Sequence, residues 1–296
     1  MSLKPSQRSM IVGLAFCSPL IVGLAVFTVY PVAASFYFSL CDYPIFDPPQ
    51  FIGLANYREM FEDPRIYIAL YNTFIYAILG IPVGMVCGLG LAMLLNVKVK
   101  GMAVYRTVFF LPSVVPMIAS CVLWLQVLNP QNGLLNRLLR SVGIPESQIP
   151  GWFLDPDWSK IALIIMGLWG CGGGMVMYLA ALQDVPVELY ESAEIDGAGP
   201  LRRFRHITIP MISPILLFTL VMGMIGTLQY FAQAYVMTGG GPLDSTLFYS
   251  LYLFNVAFSE YKLGYSSAMA WVMFIVILIC TFIVMRVSNK VVYYRQ

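Results

Sequence analysis

The sequence predicts an all-α integral membrane protein with six transmembrane helices, and three observations carry that prediction. The first is composition. Of 296 residues, 59% are hydrophobic and 11% charged, with a mean hydropathy of +0.78, whereas soluble domains carry about a quarter charged residues. The second is that six apolar stretches reach the roughly 20 residues a helix needs to cross a bilayer. They lie near 10–38, 69–95, 107–128, 160–183, 212–236 and 266–287. The third is their continuity, because a membrane barrel would alternate apolar and polar residues over segments of about ten. One membrane domain over 1–296 is expected, with the lipid bilayer as its solvent.

The first stretch follows Lys4 and Arg8 and runs apolar from Met10 to Tyr30. That exceeds the roughly 7–15 residues of a signal-peptide core, so it reads as an uncleaved span despite Ala33-Ala34-Ser35. The second carries Gly80, Pro82, Gly84, Gly88 and Gly90, the third Pro112 and Pro116, and the fourth Gly170, Gly172, Gly173 and Gly174. Gly84 and Gly88 have the small-xxx-small spacing that lets helix backbones approach. Proline inside a span frees a carbonyl that a neighbour or a water-filled cavity must satisfy. Helix packing and a mobile bundle around a pathway both account for these residues.

No Lys, Arg, Asp or Glu lies deep in a span, which argues against a proton-coupled pump or a voltage sensor. Uncharged polar residues do occur there: Asn72, Thr73, Ser113, Gln126, Thr227, Gln229 and Gln233. Gln229 and Gln233 are spaced to share one helix face, with Tyr230 and Phe231 beside them. Amides next to rings suit a polyhydroxylated ligand; they equally suit hydrogen bonds between helices. Asn72, Gln229, Tyr230 and Gln233 are therefore the candidate pathway residues.

The six cysteines are scattered without a CxxC and read as small packing residues. His206 is the only histidine, so a paired-His zinc site is excluded, and no GxxxxGK[ST] phosphate loop occurs. The chain is expected to bind no cofactor and to catalyse nothing. A net charge of +2, with no basic run beyond Arg202-Arg203, gives no sign of nucleic-acid binding.

Placing both termini in the cytoplasm assigns Lys4, Arg8, Lys98, Lys100, Arg106, Arg202, Arg203, Arg205, Arg286, Lys290 and Arg295 to the inside. Arg58, Arg65, Arg137, Arg140, Lys160 and Lys262 fall outside, a ratio of 11 to 6 that obeys the positive-inside rule. The outer loops, 39–68, 129–159 and 237–265, are then short and hold most acidic residues. A membrane enzyme would have to draw its catalytic groups from Asp42, Asp47, Glu59, Glu62 and Asp63, which read better as solvated loop residues.

The segment 184–213 is the most unusual. Asp184 is a fitting N-cap, with Pro186 in the first turn and Glu188 close behind to complement the helix dipole. Gly197 and Gly199-Pro200 end this helix, and a second short one starts at Pro200. Leu189, Tyr190 and Ala193 share one side, while Glu188 and Glu191 face the other. An amphipathic unit with no core of its own requires a partner.

Within this segment, Glu191-Ser192-Ala193, then Gly197, then Ile207-Thr208-Ile209-Pro210 resembles the EAA loop of bacterial ABC-importer permeases. The family pattern is Glu-Ala-Ala, three residues, Gly, nine residues, Ile, one residue, Leu-Pro. The spacing is met without insertion, and Ser192 and Ile209 depart from it conservatively. Thr238-Gly239-Gly240-Gly241-Pro242-Leu243-Asp244-Ser245-Thr246 and Tyr71-Asn72-Thr73 are similar to the MalF-like and UgpA-like branch of carbohydrate permeases. The resemblance covers the six-span core, without the large outer domain of the enteric maltose subunit.

The resemblance implies the type I importer permease fold, in a bacterial inner membrane. It implies a second, MalG-like permease subunit, two ATPase subunits that hold the ATP and magnesium, and an extracytoplasmic solute-binding protein. It also implies that Glu191, Ser192, Ala193, Asp196 and Gly197 contact or shape a coupling helix seated on the ATPase, with Ile207 and Pro210 anchoring it to the fifth span. The solute would be a sugar, an oligosaccharide or a related polyhydroxylated compound. The alternative is a secondary transporter or channel for a small neutral solute. Against it stand the uncharged spans, the lack of an evident inverted repeat and the docking loop.

Overall fold

The computed structural model describes residues 5–97, 99–288 and 292, with side chains from residue 12 onward. Of the cations assigned to the inner side, Lys4, Lys98, Lys290 and Arg295 lie outside the described residues, as does the side chain of Arg8. Four described helices are long and apolar enough to cross a membrane: Val12–Ser39, Pro64–Leu94, Pro200–Leu228 and Leu263–Ser288. Two bent pairs bring the number to six if each pair is one span, Met102–Val114 with Met117–Val127 and Pro156–Trp169 with Gly172–Gln183.

The chain divides into two compact units, one made of residues up to Asp63 with Leu253–Phe274, the other of Pro64–Tyr252 with the chain from Ile275. In the first unit, the segment after the first span forms a two-residue antiparallel ladder, Cys41–Asp42 with Gln50–Phe51, then the helix Ala55–Glu62. Buried Asn56 fastens that helix by donating to the Ser39 carbonyl (2.9 Å) and the Cys41 carbonyl (2.8 Å). Three of the acidic residues here have structural partners: Glu59 pairs with Lys262 at 3.5 Å, Glu62 with Arg58 at 3.4 Å, and Asp63 accepts from Tyr265 at 3.0 Å. The outer face of the first span buries nothing; Phe16 and Phe27 are 83% and 81% exposed, as expected for contact with lipid.

In the second unit the helix Pro64–Leu94 packs on the bent pair of the fourth span and on Pro200–Leu228. Their shared core gathers Ala92, Leu95, Met175, Tyr178, Leu179, Leu182, Val185 and Ile212. Gly88 makes the close approach predicted for it, since a Cβ there would stand 3.2 Å from the Tyr178 ring. Gly84 does not: nothing lies within 4 Å of its Cβ position. Where the second span ends, Arg106 donates to the Leu95 carbonyl (2.9 Å), a group that the helix itself leaves unsatisfied.

Three spans are interrupted rather than continuous. The third bends by 98° at Val115-Pro116, where proline has no N–H to continue the ladder. The fourth bends by 51° at Gly170-Cys171. The fifth, expected over 212–236, starts at Pro200 and stops at Leu228, leaves helical geometry through Gln229–Phe231, and resumes only as Ala232–Met237. Pro210 does not mark its start. A π-helical turn, Phe204–Thr208, absorbs the donor that Pro210 lacks, and the turn Ala25–Val29 does the same ahead of Pro31 in the first span.

Candidate translocation cavity and docking segment

The three breaks meet at one place. Pro112, Ser113 and Val115 from the third span, Trp169 and Gly170 from the fourth, and Tyr230 and Gln233 from the fifth line a cavity of about 260 Å³ with Tyr76 and Ser120. Tyr76 and Gly167 also border a second cavity of about 270 Å³, which continues along Gly80, Gly84, Gly174, Tyr178, Thr219 and Gly223. The glycines leave this space open, since Cβ atoms would narrow it. Neither wall carries an Asp, Glu, Lys or Arg. Tyr230 meets Tyr76 at a tilt (ring centroids 4.7 Å apart) and Phe248 edge-on (5.2 Å), and this aromatic cluster accompanies the break in the fifth span.

The four candidate pathway residues therefore separate. Tyr230 and Gln233 line the first cavity. Gln229 ends the long helix, is exposed and lines neither cavity. Because the helix breaks between them, Gln229 and Gln233 do not share a helix face as their spacing suggested. Asn72 is 2% exposed; its amide donates to the Asp244 (2.7 Å) and Leu247 (3.2 Å) carbonyls and accepts from Lys160 (3.1 Å). Lys160 also donates to the Ser245 carbonyl, the Ser159 and Ser245 hydroxyls share a hydrogen bond, and Thr73 accepts from the Tyr249 N–H. Asn72 thus pins the Thr238–Thr246 segment to the second span. Tyr76 and Trp169, which line the cavity, escaped the sequence reading. A lone aromatic in an apolar run carries no sign of which face it occupies.

The segment between the fourth and fifth spans is a helix–turn–helix. The first helix, Val187–Ile195, has Pro186 rather than Asp184 at its N-cap position, with no side-chain cap bond, and Asp184 ends the preceding helix. At its other end the Gly197 N–H donates to the Glu194 carbonyl (3.0 Å) and the Ala198 N–H to the Ala193 carbonyl (2.8 Å). This is the Schellman pattern, with Gly197 at φ +74° in the left-handed region that glycine enters without penalty. Pro200 starts the next helix, and Arg203 returns to Glu194 at 3.2 Å.

Two groups of side chains divide this unit. Tyr190 and Ile207 pack against the core around Tyr178 and Leu182, and the Tyr190 hydroxyl bonds the buried Thr208 hydroxyl at 2.9 Å. Val187, Leu189, Ile195 and Leu201 are exposed, by 63%, 41%, 87% and 78%. Leu189 thus parts from Tyr190, with which it was expected to cluster. Glu191, Ser192, Asp196 and Gly197 are exposed too, Ala193 is half-buried, and Pro210 is half-buried at the root of the fifth span. The result is a stiff unit, fixed to the core on one side and presenting apolar and acidic groups on the other.

A membrane-embedded permease is the class that this architecture defines: broken spans around an uncharged cavity, with a rigid helix–turn–helix built onto the same core. Residues 80–292 match the family described as binding-protein-dependent transport system inner membrane components. The chain belongs to that family, the permease subunits of ABC importers. It is 39% identical over 294 residues to the probable ABC transporter permease protein YesP of Bacillus subtilis, covering 98% of this chain and 94% of that one. It is 36% identical to the lactose transport system permease protein LacF of Rhizobium radiobacter, covering 92% of each. Its fold matches a chain of a bacterial alginate ABC transporter crystallised with an alginate pentasaccharide-bound periplasmic protein, with a TM-score of 0.83, 21% identity and 96% coverage of both chains.

Proposed function

We propose that this chain is one of two permease subunits of a bacterial importer for a neutral sugar or oligosaccharide, with both termini in the cytoplasm. The observation that carries the solute class is the wall of the cavity at the three helix breaks. Tyr76, Trp169 and Tyr230 offer ring faces for the apolar side of a pyranose, while Gln233, Ser113 and Ser120 offer neutral hydrogen-bonding groups. The lactose named for one relative agrees with this chemistry.

The second permease, MalG-like, completes the pathway, and an extracytoplasmic binding protein delivers the solute. Two ATPase subunits bind ATP and magnesium beneath. Glu191, Ser192, Ala193, Asp196 and Gly197 shape the surface that seats on the ATPase, and Ile207 and Pro210 root it in the fifth span. Closure of the ATPase pair transmits motion only through a stiff, firmly rooted element, which the Schellman turn, the Arg203–Glu194 pair and the Tyr190–Thr208 bond provide.

An affinity pull-down of the tagged chain in mild detergent tests this reading. Native chain is expected to bring down an ATPase and a second permease, and a Glu191→Lys/Gly197→Val double variant to lose the ATPase. Folded native chain recovered without any ATPase would overturn the proposed assembly.

A further inference from the structure

Cys87 and Cys171 are 84 positions apart in sequence, yet their Sγ atoms lie 3.3 Å from one another. Both are free, and both are half-buried. Cys87 sits in the helix Pro64–Leu94, and Cys171 occupies the 51° bend of the fourth span, on the wall of the cavity that Gly174 and Tyr178 also line. The bend is tightly held: a Cβ on the neighbouring Gly172 would run into the Phe109 carbonyl of the third span. Two other thiols have ordinary local partners, Cys41 with the Tyr37 carbonyl and Cys121 with the Met117 sulfur. Transport as described above has no use for a thiol pair at this position.

We propose that Cys87 and Cys171 form an oxidisable dithiol, which a hydroperoxide converts to a disulfide that ties the bend of the fourth span to the second span and arrests transport. The sulfurs stand 3.3 Å apart, against the ~2.05 Å of a disulfide. One thiol attacks the peroxide, forming an S–O bond and breaking the O–O bond; its proton leaves with the released hydroxide as water. The second sulfur then displaces the hydroxyl of that sulfenic acid, forming the S–S bond and releasing a second water. Two thiols and one hydrogen peroxide become one disulfide and two waters, the sulfurs supplying both electrons. The arrest rests on the proposed reading of the cavity as a pathway whose broken spans move against one another during the cycle. A covalent tie across such a break removes that movement, and dithiothreitol restores it.

The test uses the complete importer, with its permease partner and ATPases, exposed to hydrogen peroxide. Non-reducing digestion and mass spectrometry follow the linkage, and phosphate release follows ATP turnover. The expected result is a peptide pair joined through Cys87 and Cys171, loss of most ATP turnover, and recovery on adding dithiothreitol. Cys87→Ser is expected to hydrolyse ATP normally and to resist peroxide; Cys87→Ala supplies the same control should the serine variant not fold. Absence of the joined peptides would overturn the proposal. So would joined peptides with unchanged turnover, or equal peroxide sensitivity in the Cys87 variants. Peptide mapping reads the thiol pair on this chain itself, so failure of the pair is distinguishable from failure of the chain to recruit an ATPase.

Discussion

At Gly197 a Cβ would meet nothing within 4 Å, yet the backbone stands at φ +74°, so any demand for glycine here is conformational rather than steric. A left-handed residue with a Cβ costs roughly 1–2 kcal/mol, less for asparagine and more for a β-branched side chain. Gly197→Asn should therefore keep solute transport coupled to ATP hydrolysis, whereas Gly197→Val should loosen the turn and lower the number of solutes moved per ATP. Equal coupling in the two variants would mean that the conformation of this turn does not govern coupling. Gly172 is the opposite case. Its Cβ position collides with the Phe109 carbonyl, and backbone cannot move aside as a side-chain tip can. Gly172→Ala should cost about 1–3 kcal/mol of overpacking, while Gly90→Ala, in open space within a helix, should gain up to about 1 kcal/mol. Thermal unfolding in detergent would show the first midpoint fall and the second hold or rise.

In the helix–turn–helix segment, Ile195 on the first helix and Leu201 on the second are both exposed. Substitutions at exposed positions usually change stability by no more than about 0.5 kcal/mol, so Ile195→Asp with Leu201→Asp should leave the chain folded. An apolar contact with an ATPase would nonetheless be lost. Co-purification should then fall sharply with unchanged yield of the chain; undiminished ATPase recovery would place the contact elsewhere. The same element shows what could be read from sequence. The helix, its glycine stop and the restart at Pro200 were legible because caps and turns are local chemistry, carried by Gly197 and Pro200 themselves. Asp184 misled because a capping side chain suits either side of a helix boundary, and here it closes the helix before. The breaks of the third and fourth spans were visible as prolines and glycines, but not their angles. The break at Gln229–Phe231 contains neither residue type; it accompanies the Tyr76–Tyr230–Phe248 cluster, whose members are far apart in sequence. The partners of Asn72 and the Cys87–Cys171 pair were illegible for the same reason, since each lies far away in the sequence.

The cavity belongs to no single element: its wall exists only where three interrupted helices meet beside Tyr76, and its lack of charge is a property of that assembly. A carboxylate placed there would lose hydration without gaining a cation, which raises its pKa and favours the neutral acid. Gln233→Glu turns this into a measurement. Below its raised pKa the carboxylic acid is neutral, nearly isosteric with the amide, and still able to donate and accept a hydrogen bond. Above it, an unpaired charge stands in the path of a neutral solute. Uptake of a neutral oligosaccharide by the Gln233→Glu importer should therefore approach the native rate at pH 6 and decline towards pH 8, with the native protein as the reference for any pH effect on the ATPase. Gln233→Ala, which cannot ionise, should show a loss independent of pH, and Tyr230→Ala should impair uptake through the missing ring face while the complex still assembles. A Gln233→Glu profile parallel to the native one would mean that the carboxyl is solvated and that the solute passes elsewhere. A decline confined to that variant would place the side chain of Gln233 on the path, in a site built to accept a ligand without charge.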